Sequence, residues 1–104
     1  MKQTLAVFNT TDNDGNPTGG YVTSTGLQIN WQDGSLGRPP KEPTGAFVET
    51  VLKAALQRLQ FYNESKFRCR ENSLAITHIE EALHWLQARR EEREARGVQY
   101  LHEA

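Results

Sequence analysis

Asn72-Ser73-Leu74-Ala75-Ile76-Thr77-His78-Ile79-Glu80-Glu81-Ala82-Leu83-His84-Trp85-Leu86 is the stretch that decides the fold class. Ala75, Ile79, Ala82 and Leu86 recur at steps of three and four, with Ile76, Leu83 and Trp85 beside them. That spacing lines one face of an α-helix. Asn72 or Ser73 is placed to cap the helix, unless it starts a few residues earlier, and Gly97 suits its C-terminal end. Continued at the same steps, the stripe reaches Arg89, Arg93 and Arg96, so an apolar face turns into a line of guanidinium groups.

Upstream, Val48, Val51, Leu52, Ala55, Leu59 and Tyr62 follow the same period. They predict a helix that Thr44 caps, that begins near Gly45 and that runs to about Asn63. Residues 64–68 form a short connection, so the two helices should pack antiparallel as a hairpin. Gly37 to Pro43 holds three prolines and no periodicity, and reads as an extended linker. Before it, Leu5-Ala6-Val7-Phe8 and Tyr21-Val22-Thr23 read as strands. In a third, Leu27, Ile29 and Trp31 alternate with polar residues. Asn13–Pro17, Gly19-Gly20 and Asp33-Gly34 are turn-prone.

The expected class is α+β: a small N-terminal antiparallel sheet, then a long antiparallel two-helix hairpin. We expect one domain over 1–104, divided into a sheet part (1–36), a linker (37–43), the hairpin (44–97) and a tail (98–104). Three short strands are marginal alone, and a 104-residue chain buries only about two-thirds of its unfolded surface. Both considerations predict a homo-oligomer. Trp31 should cover the inner face of the sheet, and Trp85 should lie in a helix–helix or subunit seam.

A net charge of −1 supplies no basic field for a DNA or RNA polymer. The single cysteine, Cys69, permits no intrachain disulfide and no thiolate metal cluster, which fits a reducing cytoplasm. No stretch has the roughly 20 apolar residues that span a bilayer, and the first residues lack the pattern of a signal peptide. The protein is expected to be soluble and cytoplasmic.

Two groupings could carry chemistry. Arg89, Arg93 and Arg96 offer forked donors that match phosphate oxygens two at a time. Glu91, Glu92 and Glu94 lie among them, so a self-paired, solvated surface is the competing reading. At the helix–helix corner, Phe61, Tyr62, Phe67, Arg68, Arg70 and Asn72 combine what a nucleotide pocket needs: a ring to stack on a base, an amide to read its edge and a cation for phosphate. Alternatively, Phe61 and Phe67 close the hairpin core. Catalytic patterns are weak. His78 and His84 are six residues apart on different helix faces, Glu80 and Glu81 diverge, His102 lies in the tail, and Cys69 has no identifiable base. We therefore expect no enzyme, no metal and no cofactor.

The run Cys69-Arg70-Glu71-Asn72-Ser73-Leu74-Ala75-Ile76-Thr77, then Ile79-Glu80-Glu81-Ala82-Leu83, Trp85-Leu86 and Arg93-Glu94-Ala95-Arg96-Gly97-Val98, resembles the hairpin of the type-one phage Thoeris anti-defence family. That hairpin is shared with the phage anti-CBASS cyclic-nucleotide sponges. Leu27-Gln28-Ile29-Asn30-Trp31-Gln32-Asp33-Gly34 is similar to the N-terminal sheet of the anti-Thoeris members, which the anti-CBASS relatives lack. The resemblance implies a phage-encoded sponge that binds cyclic ADP-ribose-type signals, glycocyclic ADP-ribose among them, without degrading them. Cyclic di- or trinucleotides would bind at separate sites, and the assembly would be a dimer or hexamer. It further implies pocket roles for Asn72 and Thr77, phosphate-facing roles for Arg89 and Arg93, and a stacking role for Phe61 or Tyr62. Arg38 would be a further basic pocket residue. Alternatives are a primarily anti-CBASS cyclic oligonucleotide sponge, or a hairpin adaptor that binds a protein through the Trp85 face.

Overall fold

The computed structural model describes residues 3–97; the tail, with His102 and the Tyr100-Leu101 pair, lies outside the described residues. The chain divides into two compact units, one carrying the residues through Phe47 and the other Val48–Gly97. The first holds strands β1 (Ala6–Thr11), β2 (Pro17–Ser24) and β3 (Leu27–Asn30) in one antiparallel sheet of order β1-β2-β3. The second holds helices α1 (Val48–Asn63) and α2 (Arg70–Ala95). The α+β class and the order of elements match the expectation; the element ends differ, for local reasons.

β1 runs on past Phe8 to Thr11, and β2 takes in Gly19-Gly20. Threonines extend the pairing where apolar burial does not. Thr10 shares a hydroxyl–hydroxyl bond of 2.5 Å with Thr18, and its Oγ1 donates to the Gly19 carbonyl at 3.0 Å. Gly20 is a strand residue by necessity. Its φ is +143°, and a Cβ there would lie 2.3 Å from the Phe8 carbonyl oxygen. The turn between β1 and β2 is closed by the Asp12 carboxylate, whose Oδ1 accepts from the backbone N–H of Asp14 (2.9 Å) and Asn16 (3.0 Å).

Helix α1 begins at Val48, not at Gly45, because a longer-range pairing claims the intervening residues. Trp31 bridges Ala46 in parallel, with the Ala46 N–H donating to Asn30 O at 2.7 Å and the Gln32 N–H to Ala46 O at 2.9 Å. Thr44 caps no helix; its Oγ1 accepts from the Asp33 N–H at 3.0 Å. Gln32 completes the clasp, its Oε1 accepting from the N–H groups of Thr44 (2.8 Å) and Gly45 (3.3 Å). A Cβ on Gly45 would meet the Trp31 carbonyl oxygen at 2.4 Å. Residues 33–44 are thus a loop with tied ends rather than an extended linker. Within it, the Lys41 N–H donates to Leu36 O at 3.0 Å across a turn over 37–40.

The helices pack across the link 64–69. On α1 the half-buried apolar positions are Val51, Leu52, Leu56 and Leu59, so Leu56 belongs to the stripe, whereas Val48, Ala55 and Tyr62 are exposed. On α2, Ala75, Ile76, Ile79, Ala82, Leu83 and Leu86 are half-buried, as their spacing predicts. The helix begins at Arg70, capped by Cys69 rather than by Asn72 or Ser73. The Cys69 Sγ accepts from the Asn72 N–H at 3.4 Å. It ends as expected: the Arg96 N–H returns to Glu92 O, the Gly97 N–H to Glu94 O, and Gly97 takes φ +74°.

Among the described residues none is fully buried. Trp85 is 66% exposed, which removes it from the α1–α2 seam. In the sheet, Val7, Val22 and Ile29 form one cross-strand row, and Val7 is 56% exposed. Phe8 stacks on Tyr21 on the opposite face. No described helix is long and apolar enough to cross a membrane.

Candidate functional site

The end of the hairpin where α1 hands over to α2 is built by Asn63. Its Nδ2 donates to Ser73 Oγ at 2.9 Å, and its Oδ1 accepts from the Cys69 N–H at 3.1 Å. One side chain thereby ties the last residue of α1 to the first turn of α2. Ser73 Oγ in turn donates to the Cys69 carbonyl at 3.2 Å. Asn72 stands beside this knot, half-buried, with its Nδ2 donating to the Phe67 carbonyl at 3.4 Å. So held, its amide presents an acceptor oxygen and a second N–H.

On the α1 side of the knot, Phe61 and Tyr62 are exposed, at 54% and 39%, with ring centroids 6.2 Å apart and planes tilted by 50°. Phe67 is also exposed, so neither phenylalanine closes the hairpin core. A residue that sequence reasoning missed lies against both rings of α1. The Arg58 guanidinium carbon is 5.2 Å from the Phe61 centroid and 4.8 Å from that of Tyr62. Its Nε–H also donates to Tyr62 Oη at 3.0 Å. The signal was present in the spacing, since Arg58 precedes the rings by three and four residues and therefore shares their face. Asn63 was missed as well; nothing in its own position distinguishes a knot from a helix end.

Phe61 and Tyr62 thus share a face of α1 with Arg58, directly before Asn63, while Asn72 directly precedes Asn63's partner Ser73 on α2. Thr77 is exposed and lies one turn beyond Ser73 on the same flank of α2. Arg89 and Arg93 share a face at the other end of the helix, Arg89 exposed and Arg93 half-buried with its Nε shielded from solvent. Arg96 pairs with Glu92, its Nη2 donating to Oε2 at 3.1 Å. Glu91 accepts from Gln87 at 3.0 Å. Arg38 is exposed, at the turn of the clasped loop in the sheet unit.

Helix geometry sets the spacing along α2. At 1.5 Å per residue, Asn72 is about 26 Å from Arg89 and about 32 Å from Arg93. Counting back from the Asn63–Ser73 bond, Val48 falls level with Ala88, so Arg89 and Arg93 lie beyond the first turn of α1. One chain thus carries two widely separated groups, the aromatic and amide side chains near the helix–helix corner and a cationic helix end. Among the described residues no group of three or more His, Cys, Asp or Glu side chains is placed to hold a metal ion.

Comparison with known proteins gives two findings. The family model described as "Acb2/Tad1, hairpin domain" matches residues 31–91. "Thoeris anti-defense 1" of Bacillus phage SBSphiJ7 is 49% identical over 59 residues, which are 57% of this chain and 42% of that protein. The match thus spans less than half the length of that relative.

Proposed function

The chain belongs to the Acb2/Tad1 hairpin family, and on that premise we propose that it is a phage anti-defence protein that acts by sequestering a signalling nucleotide. The ligand class is a cyclic ADP-ribose-type molecule such as glycocyclic ADP-ribose, held intact in the cytoplasm of the host cell so that the Thoeris effector is not activated. The protein acts as a binder, not as an enzyme. The observation that carries the reading is the family match over residues 31–91, which takes in the aromatic–amide corner and Arg89.

The chemistry of the two half-sites suits such a ligand. Tyr62 or Phe61 stacks on adenine, and Asn72 pairs with an edge of the base through one donor and one acceptor. Arg89 and Arg93 neutralise the diphosphate with forked donors, and Thr77 adds a hydroxyl. A compact ring of one adenosine, a diphosphate and a second ribose is far shorter than the distance of about 26–32 Å between these groups along one helix. The working pocket is therefore composite, with the corner of one copy facing the arginine end of another. This makes homo-oligomerisation a condition of function. The exposed apolar side chains of both units agree with that requirement. Arg38 is assigned to the same ligand on the strength of the resemblance alone.

Calorimetric titration with glycocyclic ADP-ribose tests the reading. A nanomolar dissociation constant, about −12 kcal/mol, is expected of a useful sponge, and no heat at micromolar protein contradicts it. A second reading has its own support, because the family match lies on the hairpin and leaves out residues before Trp31. In that reading cyclic di- or trinucleotides bind at hairpin sites, either beside the first ligand or as the principal one. Competition between the two ligand classes separates these cases: simultaneous binding indicates distinct sites.

A further inference from the structure

We propose that Arg58 is a positioning residue that holds the Tyr62 ring ready to receive a base. The inference rests on the nucleotide-binding reading above. Three contacts carry it. The guanidinium lies over both α1 rings, nearer to Tyr62 (4.8 Å) than to Phe61 (5.2 Å). Only Tyr62 has a hydroxyl, and the Arg58 Nε–H is bonded to it at 3.0 Å. Tyr62 also directly precedes Asn63, whose amide is fixed at both ends to Ser73 and Cys69. The Tyr62 backbone is thus anchored next to the Asn63 knot, and its ring is anchored by Arg58. Phe61 has the tilted ring contact and the cation, but no directional bond.

The physical consequence concerns entropy and charge. An exposed tyrosine normally samples several rotamers, and ordering it on binding costs free energy. A ring already restrained by a cation on one face and a bond at its tip loses less. Arg58 covers one face, which leaves the opposite face for the base, in the order guanidinium, ring, adenine. Lysine cannot reproduce this arrangement, because an ammonium is a point charge without a planar fork.

The test combines a ligand-free measurement with binding. In the free protein, NMR should find the Arg58 Nε–H resonance shifted from its unfolded-chain position by the hydrogen bond and the rings, and Tyr62→Phe should alter that shift. Arg58→Ala should weaken glycocyclic ADP-ribose binding by about 3- to 10-fold with little change in Tm. Arg58→Lys should restore only part of the loss. On a Tyr62→Phe background, Arg58→Ala should cost measurably less than on the wild type, since the bond is already gone. Equal affinity of Arg58→Ala and wild type, or full additivity of the two substitutions, overturns the positioning role while the functional reading stands. A wild-type protein that shows the shifted resonance but binds neither cyclic ADP-ribose-type ligands nor cyclic oligonucleotides overturns the functional reading, and the inference with it. Should Arg58→Ala lower Tm markedly, Arg58→Gln, which keeps a good helix former, takes its place under the same criteria.

Discussion

Chains carrying Tyr62→Ala and chains carrying Arg93→Ala should complement each other when mixed. Each substitution damages one half-site. Losing the ring removes a base stack worth about 1–3 kcal/mol, and losing Arg93 removes a charged hydrogen bond worth about 1.5–3 kcal/mol. Either variant alone should therefore bind about 10- to 100-fold more weakly. The two groups are separated by most of the length of α2: Ser73 is level with the Tyr62 end, and Arg93 lies about 30 Å further along. If one pocket takes its corner from one copy and its arginines from another, a mixed pair contains one pocket with both damaged halves and one with both intact. In a two-fold dimer assembled at random, half the pairs are mixed, so about a quarter of all pockets are restored to wild-type affinity. The variants should be unfolded and refolded together, or co-expressed, and titrated calorimetrically. A tight phase of about a quarter stoichiometry is the expected result. A mixture that binds no better than its separate components refutes the composite pocket.

Other predictions concern the scaffold. Gly45→Ala should destabilise the sheet unit by at least about 1–3 kcal/mol, since its Cβ would meet the Trp31 carbonyl oxygen at 2.4 Å; thermal unfolding measures this, and an unchanged Tm contradicts the Trp31–Ala46 pairing. Cys69→Ser should raise stability by a few tenths to about 1 kcal/mol and Cys69→Ala should lower it, because a hydroxyl caps a helix better than a thiol. Equal Tm for the two variants removes Cys69 from the cap. Gln32→Ala leaves the Thr44 and Gly45 N–H groups without their acceptor and should cost about 1–2 kcal/mol in denaturant unfolding, with faster hydrogen exchange at both amides.

The hairpin was legible because its signals are local. Ala75, Ile79, Ala82 and Leu86 lie at helical steps, and Gly97 ends α2 as its position foretells. What misled was non-local. Thr44-Gly45 reads as a helix start until Trp31, far back in the chain, pairs with Ala46. Gly19-Gly20 reads as a turn, because a glycine that makes room for a neighbouring strand looks the same in sequence as one that bends the chain. Cys69 was overlooked as a cap because thiols seldom serve as one. Near the candidate site, the shared helix face of Arg89 and Arg93 was readable from their four-residue spacing. Arg96 also lies at a helical step from them, and the ion pair it makes with Glu92, four residues earlier, follows from helix geometry. Trp85 is expected in a helix–helix or subunit seam, and its exposure removes the helix–helix option.

Sequestration without turnover is tested most directly by recovering the ligand. The purified protein should be loaded with glycocyclic ADP-ribose, freed of excess, denatured by heat, and its released small molecules identified by mass spectrometry. Intact ligand, stoichiometric with the pockets counted by calorimetry and unchanged after prolonged incubation, is the outcome a sponge requires. Linear ADP-ribose or another breakdown product in its place would make the protein a hydrolase, and no released nucleotide at all would mean that the corner and the arginines serve something else.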